Sequence, residues 1–187
     1  AIVALMKPEV EFGFIKTQSF NVLDTVLKAT KVNEVEREIV EFNNKPASEE
    51  YARALNVSQY NLEEHFMTHP VGLMLDGEPY VRSPQRIIDT NMKFFCSVKK
   101  GMELNLLEAG DIIGDTQKAL AEILDLHGSL TGLINFNCIL RTLELEQKGL
   151  TEVYGRIFEN IPTVGFSTYG EEYLGHVNQT ATMLYFK

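Results

Sequence analysis

The segment that most restricts the fold is a helix followed closely by an apolar strand. Between Asp115 and Leu126, Ala119, Ile123 and Leu126 recur at helical spacing with Leu120 and Leu124 beside them, a stripe that has to lie against a core. Asp115 is expected to cap this helix and Gly128 to end it. Leu130–Cys138 is then nearly continuously apolar, the pattern of a strand buried on both faces. A second amphipathic stretch, Leu150–Asn160, is broken by Pro162, and strands are expected over Thr163–Tyr169 and Thr180–Phe186. Alternation of this kind packs helices on a sheet.

The preceding part of the chain reads as antiparallel strands. Val26–Val32 and Val35–Phe42 are joined by Asn33-Glu34, and Asn43-Asn44-Lys45-Pro46 breaks the second. Pro46 suits the first turn of a short helix, Ala47–Leu55. Another short helix, Leu62–Met67, is expected behind an Asn61 cap, ending at His69-Pro70. Val71–Leu75 and Tyr80–Arg82 flank the turn Asp76–Pro79, a hairpin signature, and Arg86–Asp89, Met92–Val98 and Met102–Glu108 add strands. The expected class is α/β in the mixed α+β sense: a mixed, largely antiparallel sheet with helices packed on its faces, in one compact domain. The opening Ala1–Leu5 is strand-like, so the chain reads as a fragment of something longer.

Composition excludes several functions. Lys and Arg number 17 against 26 Asp and Glu, a net charge of −9, the wrong sign for nucleic acid or an anionic membrane. No run approaches the length of a membrane-spanning helix, and the apolar start lacks a basic leader. Two cysteines, Cys96 and Cys138, cannot staple a fold, so a cytoplasmic location is expected.

Local motifs for catalysis are weak. His65 and His69 stand four apart, as zinc ligands on a helix do, but no third ligand is near in sequence and Pro70 interrupts the helix. Gly110–Asp115 precedes a helix, where its two aspartates favour capping over anion binding. Ser167 lacks the glycine spacing of a nucleophile elbow. Cys138 would be a nucleophile only with a cation beside it, for which Arg141 is the candidate. No metal and no cofactor is expected.

The richest region is the last forty-odd residues. A strand is expected to end in Asn135–Arg141, a second to lead into Gly165–Glu172, and a loop to carry His176-Val177-Asn178-Gln179-Thr180 into the last strand. Polar groups at the ends of sheet strands are where ligands bind in open α/β sheets. Arg141 could clasp a carboxylate and Glu171 accept from an amine, or the two could satisfy each other and the turns.

These residues resemble the C-terminal domain of the FIST family (F-box and intracellular signal transduction). The family's closing motifs are matched by Phe136-Asn137-Cys138-Ile139-Leu140-Arg141, Gly165–Glu171 and His176–Thr180. Lys45-Pro46-Ala47, His69-Pro70-Val71-Gly72, Tyr80-Val81-Arg82 and Gly110–Thr116 fall in the family's order upstream. The resemblance implies a FIST C-terminal domain over residues 26–187, with 1–25 as the connection from a preceding N-terminal FIST domain. It also implies a non-catalytic sensory module of bacterial signal transduction that binds a small polar ligand, such as an amino acid, and passes a signal to an output domain or protein. Cys138, Arg141, Tyr169, Glu171, His176 and Asn178 are the expected ligand-binding residues. The alternatives are a protein-binding adaptor, using the acidic strand face Glu34–Glu41, and a Cys138-dependent enzyme.

Overall fold

The computed structural model describes residues 4–187. Its strands are β1 (Phe12–Thr17), β2 (Phe20–Asn33), β3 (Glu38–Phe42), β4 (Lys45–Pro46), β5 (Val71–Leu75), β6 (Glu78–Arg82), β7 (Pro84–Ile88), β8 (Asn91–Phe94), β9 (Glu103–Ala109), β10 (Gly132–Cys138), β11 (Thr163–Thr168), β12 (Glu171–Glu172), β13 (His176–Val177) and β14 (Ala181–Phe186). The helices are α1 (Ala47–Leu55), α2 (Ile112–His127), α3 (Ile139–Gln147) and α4 (Thr151–Arg156), with a 3-10 helix over Gln59–His65. The class is α+β with largely antiparallel pairing, as expected. The strands form two sheets and a two-stranded ribbon instead of one sheet.

The larger sheet runs β6-β5-β9-β2-β3-β8-β7, with β4 paired to β3. Its spine is β2, which pairs β9 over Phe20–Lys28 and β3 over Ala29–Asn33, with register shifts in both ladders. Leu27, Ala29, Ile39, Phe42, Leu104 and Leu106 meet Tyr51 of α1 and Leu62 of the 3-10 helix in one buried cluster. The β5–β6 hairpin turns on Asp76-Gly77, both at positive φ (52° and 84°), as a tight hairpin of this twist requires.

The smaller sheet runs β1-β14-β10-β11, with β10 and β11 parallel and the other pairs antiparallel. Register places Ile15, Met183, Tyr185 and Leu133 on one face, where they pack with Ile112 and Leu120 of α2, Leu145 of α3 and Tyr154 of α4. The opposite face carries Phe12, Phe14, Ile134, Phe136, Val164, Phe166 and Leu184. No helix covers that face among the described residues: Phe14, Val164 and Phe166 are 57%, 67% and 63% exposed.

Several expectations change. Residues 12–25, read as connection, hold β1 and the start of β2; the alternation of Phe12 and Phe14 with Gly13 and Ile15 is a strand period within that stretch. Of the strand-like Ala1–Leu5, the first three residues lie outside the described ones, and Ala4 and Leu5 form no strand. Glu34–Arg37 are a turn and not part of a strand, with Val35 exposed and Arg37 at φ 59°. The 3-10 helix is capped by Ser58, whose side chain accepts from the Tyr60 N–H, while Asn61 has non-helical angles inside it. Asp111, not Asp115, caps α2, accepting from the Ile113 N–H at 3.0 Å. Gly114 leaves room for that cap: a Cβ there would lie 2.5 Å from Asp111 Oδ2. Finally, β10 stops at Cys138 and α3 begins at once, where the sequence reads as strand through Arg141.

Glu50 of α1 illustrates how the larger sheet is tied. Its buried carboxylate accepts from Arg53 at 2.6 and 2.7 Å and from Asn43 at 3.0 Å, and pairs with Lys45 at 3.5 Å. The Arg53 hydrogen bonds, outweighing burial, hold its pKa down to about 2. A depressed carboxylate stabilises the fold above its ordinary range, and that contribution is lost as pH falls from 4.5 toward about 2. Because Arg53 and Lys45 are largely in solvent, the contribution is discounted to about 1–2 kcal/mol. Chemical denaturation of Glu50→Gln and the parent at pH 7 and pH 2.5 is expected to show that difference at pH 7 and a much smaller one at pH 2.5.

Candidate functional site

The structure divides the six expected ligand-binding residues among three settings. Cys138, at the junction of β10 and α3, lies beside Glu171 of β12. The Glu171 carboxylate is 3% exposed and accepts from the hydroxyls of Thr168 and, at 3.2 Å, Thr180. No cation pairs with it among the described residues. Burial raises its pKa, against hydrogen bonds from Thr168, Cys138 and Thr180 that lower it. Burial, then the Glu171 charge, pushes the Cys138 thiol up to about 11, so it is protonated at neutral pH.

Arg141 is elsewhere. Because α3 starts at Ile139, Arg141 occupies the first turn of a helix and turns into the interior, 1% exposed. Its Nε donates to Asn137 Oδ1 at 3.1 Å and its Nη2 to Thr116 Oγ1 at 3.0 Å, with Ser19 Oγ 3.5 Å from Nη1. The Tyr154 ring lies 6.0 Å from the guanidinium carbon. Glu171 shares none of these partners, so the pair expected to bracket a ligand is not assembled. The Arg141 guanidinium is engaged with interior oxygens of the framework.

Tyr169 is 90% exposed beyond the end of β11. Asn178 is buried in the join between the ribbon and the larger sheet: its Oδ1 accepts from the Ser83 N–H at 3.3 Å and its own N–H donates to Val81 O at 3.2 Å. Gln179, from the same loop but outside the expected ligand-binding set, does the same work, accepting from Ser83 Oγ at 2.7 Å and donating to Met67 O at 2.8 Å. His176 pairs with Glu172 across the ribbon, and its imidazole fills the space above Gly170, where a Cβ would lie 2.6 Å from Nε2. Burial, then the Arg82 charge, lowers the His176 pKa, with Glu172 opposing.

What opens to solvent at this end is a groove on the uncovered face of the smaller sheet. Its volume is about 550 Å³, with Phe14, Phe136 and Leu184 on the floor and Glu172, Tyr173 and Leu174 as one wall. An adjoining cavity of about 220 Å³ shares Phe136, Glu172 and Thr182 with it and reaches Thr168 and Glu171. An apolar trough thus ends on a buried carboxylate. The floor residues would have been found from sequence by following the two-residue period of β1, β10 and β14 to the face opposite the helices.

The weaker candidates resolve simply. The rings of His65 and His69 lie 5.8 Å apart, and no group of three or more His, Cys, Asp or Glu is arranged to hold a metal among the described residues. Ser167 pairs with the Thr142 hydroxyl at 2.8 Å.

The model of the FIST C domain family matches residues 47–173. The chain belongs to the FIST C domain family. No curated protein and no solved structure matches it. The FIST C match opens on α1 and closes on Tyr173, so it takes in Cys138, Arg141, Tyr169 and Glu171. His176, Asn178 and the strands β1 and β14 lie outside it. No helix among the described residues is long and apolar enough to cross a membrane.

In this FIST C domain, Arg141→Ala is expected to lower stability by about 2–4 kcal/mol, from the cavity and the acceptors left behind. Urea unfolding checks this. A loss below about 0.5 kcal/mol would mean that the interior contacts of Arg141 are not structural.

Proposed function

We propose that this domain is the ligand-sensing module of a signalling protein, taking a small molecule that carries an amine beside an apolar side chain, as an amino acid does. The observation that carries this reading is Glu171: a buried carboxylate with neutral donors but no cation among the described residues, at the end of an apolar groove. Burying a charge without a partner is costly, and a ligand ammonium entering the cavity would offset that cost. Phe14, Phe136 and Leu184 would meet the ligand's apolar part, and Glu172 would stand at the rim. The reading is of binding without chemistry, since a thiol raised to about 11 is a poor nucleophile at neutral pH.

Besides this floor and wall, the groove is lined by Ala4 and Met6 of the N-terminal segment, and the floor beyond them is exposed. We propose that the rest of its cover comes from the N-terminal FIST domain that the family resemblance implies, seated on the exposed Phe12, Phe14, Val164 and Phe166. The same four residues support the second reading, an adaptor that docks a partner protein there.

Thermal unfolding in the presence of an amino-acid panel, with the matching deaminated acids as controls, tests the ligand reading. A saturable rise that needs the amine and disappears in Glu171→Gln is expected; a rise given equally by the deaminated acids, or kept by Glu171→Gln, would overturn it. Iodoacetamide tests the non-catalytic reading. Cys138 is expected to stay unlabelled for hours at pH 7.5 and to react on unfolding, whereas fast native labelling would revive a cysteine mechanism.

A further inference from the structure

A second buried charge lacks a counter-ion, and it is a cation. Arg82 closes β6, is 8% exposed, and donates through Nη1 to the carbonyl of His176. Its Nε is buried without any hydrogen-bond partner, and the guanidinium lies against the thiol of Cys96. No Asp or Glu pairs with it among the described residues. Nη1 is therefore spent on backbone, while Nε, on the side of a guanidinium that can take two oxygens at once, has no hydrogen-bond partner.

A second arginine meets it from another element. Arg37 ends the turn between β2 and β3 at φ 59°, a left-handed conformation uncommon for a residue with a Cβ. Its Nη1 donates to the carbonyl of Phe95 at 2.8 Å, and the residue is otherwise in solvent without an acidic partner among the described residues. Phe95 adjoins Cys96, against which Arg82 lies, and the Phe95 N–H donates to Ser83 O at 3.1 Å, one residue from Arg82. The Arg37 guanidinium is thus anchored on Phe95, the neighbour in the chain of the Cys96 that the Arg82 guanidinium lies against. Both charges act on His176 and on the Cys96 thiol; Glu172 is the acid whose charge reaches His176.

We propose that Arg82 and Arg37, with His176 at their side, form a binding site for an oxyanion, the carboxylate or phosphate group of a small ligand. Arg82 supplies the fixed, buried fork, and Arg37, tethered at one nitrogen and free at the rest, closes over the anion from the solvent side. The site does not depend on the amine reading of Glu171.

The test is thermal unfolding of the purified domain titrated with inorganic phosphate or with succinate, each against sodium chloride at matched ionic strength. A saturable rise with at least one probe is expected, and which probe gives it assigns the anion as phosphate or carboxylate. Arg37→Gln, on an exposed turn, is expected to fold with an unchanged midpoint in chloride and to weaken the response at least tenfold. Lys100→Gln, which removes the same charge from an exposed turn elsewhere, is expected to leave it unchanged. Arg82→Lys keeps the charge but loses the fork and is expected to weaken binding as much as Arg37→Gln; should it not fold, Arg37→Gln alone decides. Absence of a saturable rise with either probe overturns the proposal, as does an equal loss in Arg37→Gln and Lys100→Gln.

Discussion

Arg141 sits where four elements of the smaller layer meet, and its hydrogen bonds set their relative positions. The planar guanidinium reaches Asn137 at the end of β10, Thr116 in the first turn of α2 and Ser19 between β1 and β2, with Tyr154 of α4 stacked nearby. Each partner is itself committed. Thr116 donates to the Ile112 carbonyl at 2.7 Å, Asn137 donates to Thr142 at 3.0 Å, and the Tyr154 hydroxyl links Asn135 and Asn137. A buried polar network of this kind is stable only when nearly every member is satisfied, so it admits few alternative packings of the three helices on the sheet. Its neutral oxygens take the place of a carboxylate around a guanidinium that is 1% exposed.

Fixing the helices on one face determines what the other can do. Strand alternation sends Ile15, Leu133, Met183 and Tyr185 into that helical layer and leaves Phe14, Phe136, Phe166 and Leu184 facing away from it. Here, among the described residues, no helix covers the second face; the short ribbon β12–β13 and the segment holding Ala4 and Met6 border it. The groove is the space between that ribbon and the open floor. The ribbon's register then decides the polarity: Glu171 pairs with Val177 and turns into the protein, while Glu172 pairs with His176 at the rim.

Much of this architecture was legible in the sequence because it rests on local period and turn chemistry. The helix stripe of α2, the Asp76-Gly77 hairpin, the end of α2 at Gly128 and the C-terminal strands all follow from spacing alone. Two features were not legible. One is the β10–α3 junction: Asn135–Arg141 has apolar content that serves a strand or a first helical turn equally, and only packing of Leu145 and Arg141 against the helical layer decides it. That single boundary moved Arg141 from a loop to the interior. The other is the role of residues 12–17, whose two-residue period is visible but whose partner, β14, is the last strand of the chain. Pairings between the ends of a chain leave no local trace. Of the site, the loop residues Glu171 and His176 carried their own polar signal, whereas the apolar floor and the Arg82–Arg37 pair come together only through tertiary register.

The two unpaired charges sit on either side of one small element. The ribbon is held to the larger sheet by Arg82 through the His176 carbonyl, by Asn178 through Val81 and Ser83, and by Gln179 through Ser83. It is held to the smaller sheet by Glu171 through Thr168 and Thr180. An anion drawing on Arg82 and a cation drawing on Glu171 would therefore load opposite anchors of the same hairpin, whose two strands are only two residues long each. An element so short has little stability of its own and takes its position from those anchors. Removing Arg82 must disturb the ribbon as well as any anion, because the same guanidinium serves both. The Arg37 side chain bonds to the Phe95 carbonyl and to none of the ribbon's residues, which makes it the residue whose loss reports on binding rather than on the hairpin's position.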